Sequence, residues 1–263
     1  MPIHRFTAAG QNLSLVYDAE AMSYWEAGKA AFHAAAQLDF FTQNCTWESP
    51  MTHILTAALQ RQPGAVMVDV GLNIGFFSLL AATLGSPTVG FDIMPTCIRQ
   101  ASRLRAMNGL AREQYEILHL GVYHHAVSNA TIHAAEGSCD GDGSILVQRK
   151  RPAQANSYAV GLVSFDQLFE APARKEAAVG TFPSYFVSAV GEHSLGDPID
   201  GPAGRARLLL ADESSRIGFL KLDCEGCEAA ALGGLEGFLR AGRVENIFVE
   251  VTLIPTSYPL DLT

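Results

Sequence analysis

No stretch of the chain approaches the roughly 20 consecutive apolar residues that cross a bilayer, and segment 1–21 has no long apolar core of the secretory kind. A soluble, cytoplasmic protein that does not engage a membrane is therefore the expectation. Charge is scarce and positive charge scarcer: 17% of residues are charged, 18 Lys and Arg against 27 Asp and Glu, with a formal net charge of −9. That deficit argues against nucleic acid or an anionic lipid surface as partner. The basic run 149–151 reads as a solvated loop. Cysteine is sparse too. The five residues at 45, 97, 139, 224 and 227 are odd in number and scattered, which does not suit a disulfide framework. Cys224 and Cys227 form a C-x-x-C pair after a strand and ahead of a helix, where redox pairs sit, but no second pair completes a zinc site. Two small, buried or half-buried side chains are the simpler account of them.

What is present is organised around 66–82, VMVDVGLNIGFFSLLAA. The apolar run 65–68 is β-branched and short, as a buried parallel strand is. Gly71, Asn73 and Gly75 then alternate with apolar residues, and the pattern turns helical from Phe76. A strand, a glycine-bearing turn and a helix make a nucleotide-binding unit, in which glycine lets a ligand approach and the helix start offers N–H groups. The spacing departs from G-x-G-x-x-G, and Asn73 tolerates a left-handed backbone. Asp69, two residues ahead of the first glycine, suits a ligand with an ammonium group better than a pyrophosphate. The alternative is an ordinary tight turn. The strand at 88–93 ends in Asp92, 21 residues after Gly71, where an acid accepts the hydroxyls of a ribose. Asp92 could also cap the helix that Pro95 opens.

Before this unit, 1–17 reads as a short hairpin or arm and 18–38 as an amphipathic helix; Ser49 and Pro50 start another helix, to about 60. After it come a helix at 95–108 closed by Gly109, a strand at 115–127 broken at Gly121, and short strands at 131–135 and 144–149 around a turn-rich loop, 137–143. A strand at 160–163 leads into a short helix. Segment 171–208 has no sustained period and reads as an insertion, long enough to act as a lid. Strand 217–223, a helix over 225–240 with a weak point at Gly233-Gly234, and strand 244–251 carrying Glu250 complete the pattern. Alternating strands and helices predict an α/β Rossmann-like, doubly wound, mostly parallel sheet with helices on both faces and an N-terminal helical extension. The expected organisation is a single domain, 1–263: a cap at 1–62, a core at 63–170 and 209–251, and the insertion. Ligands of such sheets sit beyond the carboxyl ends of the strands, the edge that carries Asp69, Asp92, Asp223 and Glu250.

Taken together, DVGLNIGFFSLLAA, GFDIMP, IGFLKLDCEGCEAAALGG and IFVEV resemble the FkbM-type methyltransferase family over about 48–251. The resemblance implies S-adenosylmethionine as cofactor and methylation of a hydroxyl on a small molecule or sugar. It places Asp69, Gly71, Asn73 and Gly75 against the methionine part of the cofactor, Asp92 on its ribose, and Asp223 and Glu225 near the donor methyl. Positions 224 and 227 more often hold Val and Ala in the family, in keeping with small apolar roles for both cysteines.

For the chemistry, Asp223 is the first candidate base, Glu225 and Glu250 the second, and His124 and His125 the third. The three carboxylates could instead hold a divalent cation, although no metal is assigned, and Asp223 and Glu225 could cap the helix that follows. Two other functions stay open: a catalytically degenerate S-adenosylmethionine-binding partner subunit, and a thiol redox protein using Cys224 and Cys227. The edge of the sheet beyond the fifth core strand is expected to be open, which invites a homodimer.

Overall fold

In the computed structural model, residues 3–16, 48–134, 156–169, 210 and 215–251 are described. The helix expected at 18–38, the loop 137–143, the strand 144–149, the insertion 171–208 and the edge beyond 251 lie outside these residues, wholly or nearly so.

The centre is β3 (Val66–Val70), buried along its whole length. Its side chains alternate: Val66, Val68 and Val70 pack in one core cluster and Met67 in the other, as the period of two along a strand requires. Helix α2 (Phe76–Thr83) carries the chain to β4 (Thr88–Asp92), and α3 (Pro95–Met107) carries it to β5 (Tyr115–Val122). The antiparallel pair β6 (Val127–Ala134) and β7 (Asn156–Val163) extends that side. After α4 (Phe165–Phe169) the chain returns to the other flank of β3 with β8 (Ile217–Leu222). Helices α5 (Glu228–Gly233) and α6 (Glu236–Arg240) then lead to β9 (Ile247–Val249). The described residues thus form a seven-stranded sheet in the order β6-β7-β5-β4-β3-β8-β9, parallel throughout except for β6. Chain direction across the sheet reverses between β3 and β8, and their carboxyl ends flank the switch-point crevice that such sheets use for ligands.

Apolar residues of α1 (Ser49–Arg61), α2 and α3 cover one face of the sheet, and those of α4, α5 and α6 cover the other. Each fully buried Phe or Leu in these layers contributes roughly 1.5–3 kcal/mol over an exposed one. The hairpin of β1 (Ile3–Ala8) and β2 (Gln11–Val16) adds Ala8 and Leu13 to the first layer.

Several boundaries differ from the sequence reading. The residue at the N-cap of α1 is Glu48, and Ser49 is already helical. The chain leaves β5 at 123–126, not at Gly121. The single helix expected over 225–240 is two. The carbonyl of Gly234 accepts hydrogen bonds from the Asp166 N–H and the Ser164 hydroxyl, at 2.8 and 3.2 Å. The Asp166 carboxylate then caps α6 through the N–H groups of Gly237 and Phe238. A Cβ on Gly234 would overlap the carbonyl oxygen of Tyr123, so this glycine is required by close approach.

Candidate functional site

Register builds the site. Asp69 of β3 lies beside Lys221 of β8, and Lys221 beside Phe248 of β9. One pleat further on come Gly71, Asp223 and Glu250. The ladder continues to them through Asp223 N–H to Val70 carbonyl (3.0 Å) and Glu250 N–H to Leu222 carbonyl (2.9 Å). A period of two puts Asp69, Lys221, Asp223 and Glu250 on the face covered by α1 to α3.

Gly71, Asn73 and Gly75 all have positive φ, at 81°, 55° and 84°. A Cβ on Gly71 would overlap the carbonyl of Asp223, and one on Gly75 would lie 2.6 Å from the Tyr115 hydroxyl. The room that a side chain would take at Gly71 is thus filled by the protein's own backbone, not left for a ligand. The N–H groups of the turn are also used internally: Gly71 and Leu72 donate to Phe91, Asn73 to Asp92, Ile74 to the Asn73 side chain and Gly75 to Leu72. The N–H groups of residues 71–75 are thus engaged within the protein, while the helix that follows begins at Phe76.

Asp69 is fully buried, and the ammonium it meets is internal: Lys221 Nζ at 3.5 Å, with the Ser78 hydroxyl donating to the other oxygen at 2.6 Å. Burial pushes its carboxyl upward, while Lys221 and Ser78 pull the other way. It supports the turn from behind rather than facing a ligand's ammonium group. Asp92 accepts the N–H of Asn73 (2.9 Å) and of Met94 (2.8 Å), one on each oxygen. It therefore ties the turn to the start of α3 and keeps a second lone pair on each oxygen. Burial pushes its carboxyl up to about 7, against the pull of those two N–H groups.

The edge at β8 and β9 is a charged network. Lys221, 3% exposed, reaches Asp223 at 2.9 Å and donates to the Gly71 carbonyl at 3.2 Å. Burial disfavours its charge, but Asp69 and Asp223 outweigh that and hold its ammonium above the usual lysine range. Asp223 and Glu250 are hydrogen-bonded to each other. Burial alone would raise Asp223, yet the Lys221 ammonium and the hydrogen bond from Glu250 hold it below the ordinary carboxylate range. The same bond, with burial and the Asp223 charge, pushes Glu250 up to about 7. The last proton of the pair, which sits mostly on Glu250, is therefore being lost around neutral pH.

Glu225 has φ 56° and an exposed side chain in the loop after Asp223. The N-cap of α5 is Cys227, with no side-chain cap hydrogen bond, so the capping expected of Asp223 and Glu225 is not found there. The Glu228 carboxylate instead holds the preceding loop, accepting the N–H of Cys224 and of Gly226 at 3.0 Å each. Cys224 and Cys227 are joined by a disulfide, with Cys227 buried. They are therefore a bonded pair, not two independent small side chains. His124 and His125 are exposed and stack with Tyr123 beyond β5. Among the described residues no three His, Cys, Asp or Glu side chains converge as a metal-holding group, and no helix is long and apolar enough to cross a membrane.

Lys221 and Glu228 lie in the run IGFLKLDCEGCEAAALGG that carries the family resemblance, but sequence reasoning assigned neither of them a role. A lysine inside the buried run IGFLKL was the available signal, since lysine is almost never fully buried unless paired.

A mostly parallel sheet with helices on both faces is a Rossmann-like, doubly wound fold, consistent with that of a methyltransferase. Residues 199–261 match the family model of the methyltransferase FkbM domain, which supports the FkbM-type methyltransferase family. The match contains Asp223, Glu225 and Glu250, and it begins inside the segment read as an insertion. No curated protein and no solved structure matches the chain.

Proposed function

We propose that the chain is an S-adenosylmethionine-dependent methyltransferase acting on a hydroxyl oxygen of a small molecule or sugar. One observation carries the reading: the glycine turn and the Asp223–Glu250 pair, remote in sequence, meet at the switch point, with Gly71 against the backbone of Asp223. In this reading the methyl donor lies beside the turn and next to the carboxylates that would take the acceptor's proton. The surroundings suit a cationic donor. The carboxylates favour a sulfonium over a pyrophosphate, and the N–H groups of residues 71–75 are already engaged within the protein. The free lone pairs of Asp92 match a vicinal ribose diol, whose hydroxyls would offset the burial of that carboxylate.

When bound, S-adenosylmethionine supplies an electrophilic methyl group. The residues of the chain would place the acceptor and take its proton. Asp223, ionised at neutral pH, is the acceptor's proton-binding group. Glu250 shares that proton and, once it has lost its own, makes the pair more basic. The test is Asp223→Asn, assayed by transfer of labelled methyl to an acceptor found among hydroxyl compounds. Turnover is expected to fall about 10²–10⁴-fold, the usual worth of a general base, with cofactor affinity nearly unchanged. Wild-type turnover would remove Asp223 from the mechanism.

A further inference from the structure

We propose that Lys221 is the positioning residue of this site, fixing the Asp223 carboxylate and the glycine turn to each other through one buried ammonium group. The inference rests on the methyltransferase reading above. An ammonium has three N–H donors, and the three oxygens near Lys221 Nζ belong to three parts of the site. Asp223 Oδ2 at 2.9 Å and the Gly71 carbonyl at 3.2 Å lie within hydrogen-bond distance, and Asp69 Oδ1 at 3.5 Å is an ion-pair contact without a hydrogen bond. The Phe77 ring lies 5.7 Å from Nζ, on the helix that the turn opens. Asp69 is anchored in turn by Ser78, so the chain Ser78–Asp69–Lys221–Asp223 runs from the helix after the turn to the acid.

Fold stability is a poor reason for this arrangement. A buried ion pair often contributes no more than well-packed apolar residues of similar volume, and β8 is otherwise apolar. Position explains it better. Asp223 is faced by Lys221 on its own strand and Glu250 after β9, which favour its charge, and by Asp69 on β3, which opposes it; Glu225 in the following loop and Glu48 before α1 act on Glu250. Lys221 is the stronger of the two groups that favour the Asp223 charge, and its contact at 2.9 Å is what aims that carboxylate.

The experiment follows the carboxyl ¹³C resonances of Asp223 and Glu250 through a pH titration in the full chain, assigned with Asp223→Asn. Calorimetry with S-adenosylmethionine is run on the same samples. In Lys221→Met the Asp223 carboxyl is expected to titrate at higher pH than in the wild type, and Lys221→Arg is expected to bring it back down. S-Adenosylmethionine affinity is expected to fall about tenfold in Lys221→Met, as the Gly71 carbonyl loses a charged donor. An unchanged Asp223 titration in folded Lys221→Met overturns the proposal. Should that variant fail to fold, Asp69→Asn/Lys221→Met, which leaves no lone buried charge, is read by the same criterion. Failure of the wild type to bind S-adenosylmethionine is a separate result that counts against the methyltransferase reading itself.

Discussion

Replacing Gly71 by alanine adds a single methyl group where the cofactor side and the acid side of the site touch. Two costs follow from the geometry. Gly71 has φ +81°, and an L-residue held in the left-handed region costs about 1–2 kcal/mol. The new Cβ would also overlap the Asp223 carbonyl and lie 3.2 Å from the Cα of Cys224, all backbone atoms. They cannot yield freely, because Asp223 is tied to Val70 by a ladder hydrogen bond of 3.0 Å. Overpacking of this kind costs about 1–3 kcal/mol, so Gly71→Ala is expected to destabilise the chain by about 2–5 kcal/mol. Gly85→Ala is the matched control, since Gly85 has φ +90° and a Cβ added there would meet nothing within 4 Å. It should cost only the conformational part, about 1–2 kcal/mol. Urea unfolding of both variants gives the comparison directly. Equal losses within about 0.5 kcal/mol would mean that the close approach to Asp223 has no energetic consequence. Weakened cofactor binding in Gly71→Ala without any extra instability would instead restore the view that this glycine makes room for a ligand.

Two further outcomes follow from the carboxyl groups. Asp92 has a folded value of about 7 against an ordinary 3.8. The folded chain therefore binds more protons than the unfolded one between those values, and the contribution of Asp92 to stability falls as pH rises from about 4 to 7. Asp92→Asn should flatten that part of the stability–pH curve and weaken S-adenosylmethionine binding by about 1.5–3 kcal/mol; an unaltered slope would show that Asp92 is not desolvated as described. Glu250, at about 7, should make the methyl-transfer rate climb through neutral pH as the pair loses its shared proton. Glu250→Gln should abolish that climb, and a rate profile identical to wild type would separate Glu250 from the reaction.

Local patterns made the sheet legible. The runs VMVDV and IGFLKL read as buried strands because they are short, apolar and β-branched or bulky, and the structure buries both completely. The acids at strand ends were legible too, since in a parallel sheet the carboxyl ends share an edge. What local patterns could not supply was register. Lys221 meets Asp69 because β8 pairs with β3 in one alignment, and a slip of one residue would turn Lys221 to the other face. That alignment is set by contacts far apart in the chain. Hydrogen bonds show the same limit: α6 is capped by Asp166 from a separate element, and the loop after Asp223 is held by Glu228. The glycine turn was found for its spacing, but Gly71 is dictated by the backbone of Asp223, which only the packed sheet brings to it.

Calorimetry of the full chain with S-adenosylmethionine, its demethylated product S-adenosylhomocysteine and NAD tests the central claim most directly. The acidic switch point and the internally satisfied turn lead to binding of the two adenosyl compounds and none of NAD. Binding of NAD without the adenosyl compounds, or of none of the three, would contradict the assignment of a methyl donor to this site.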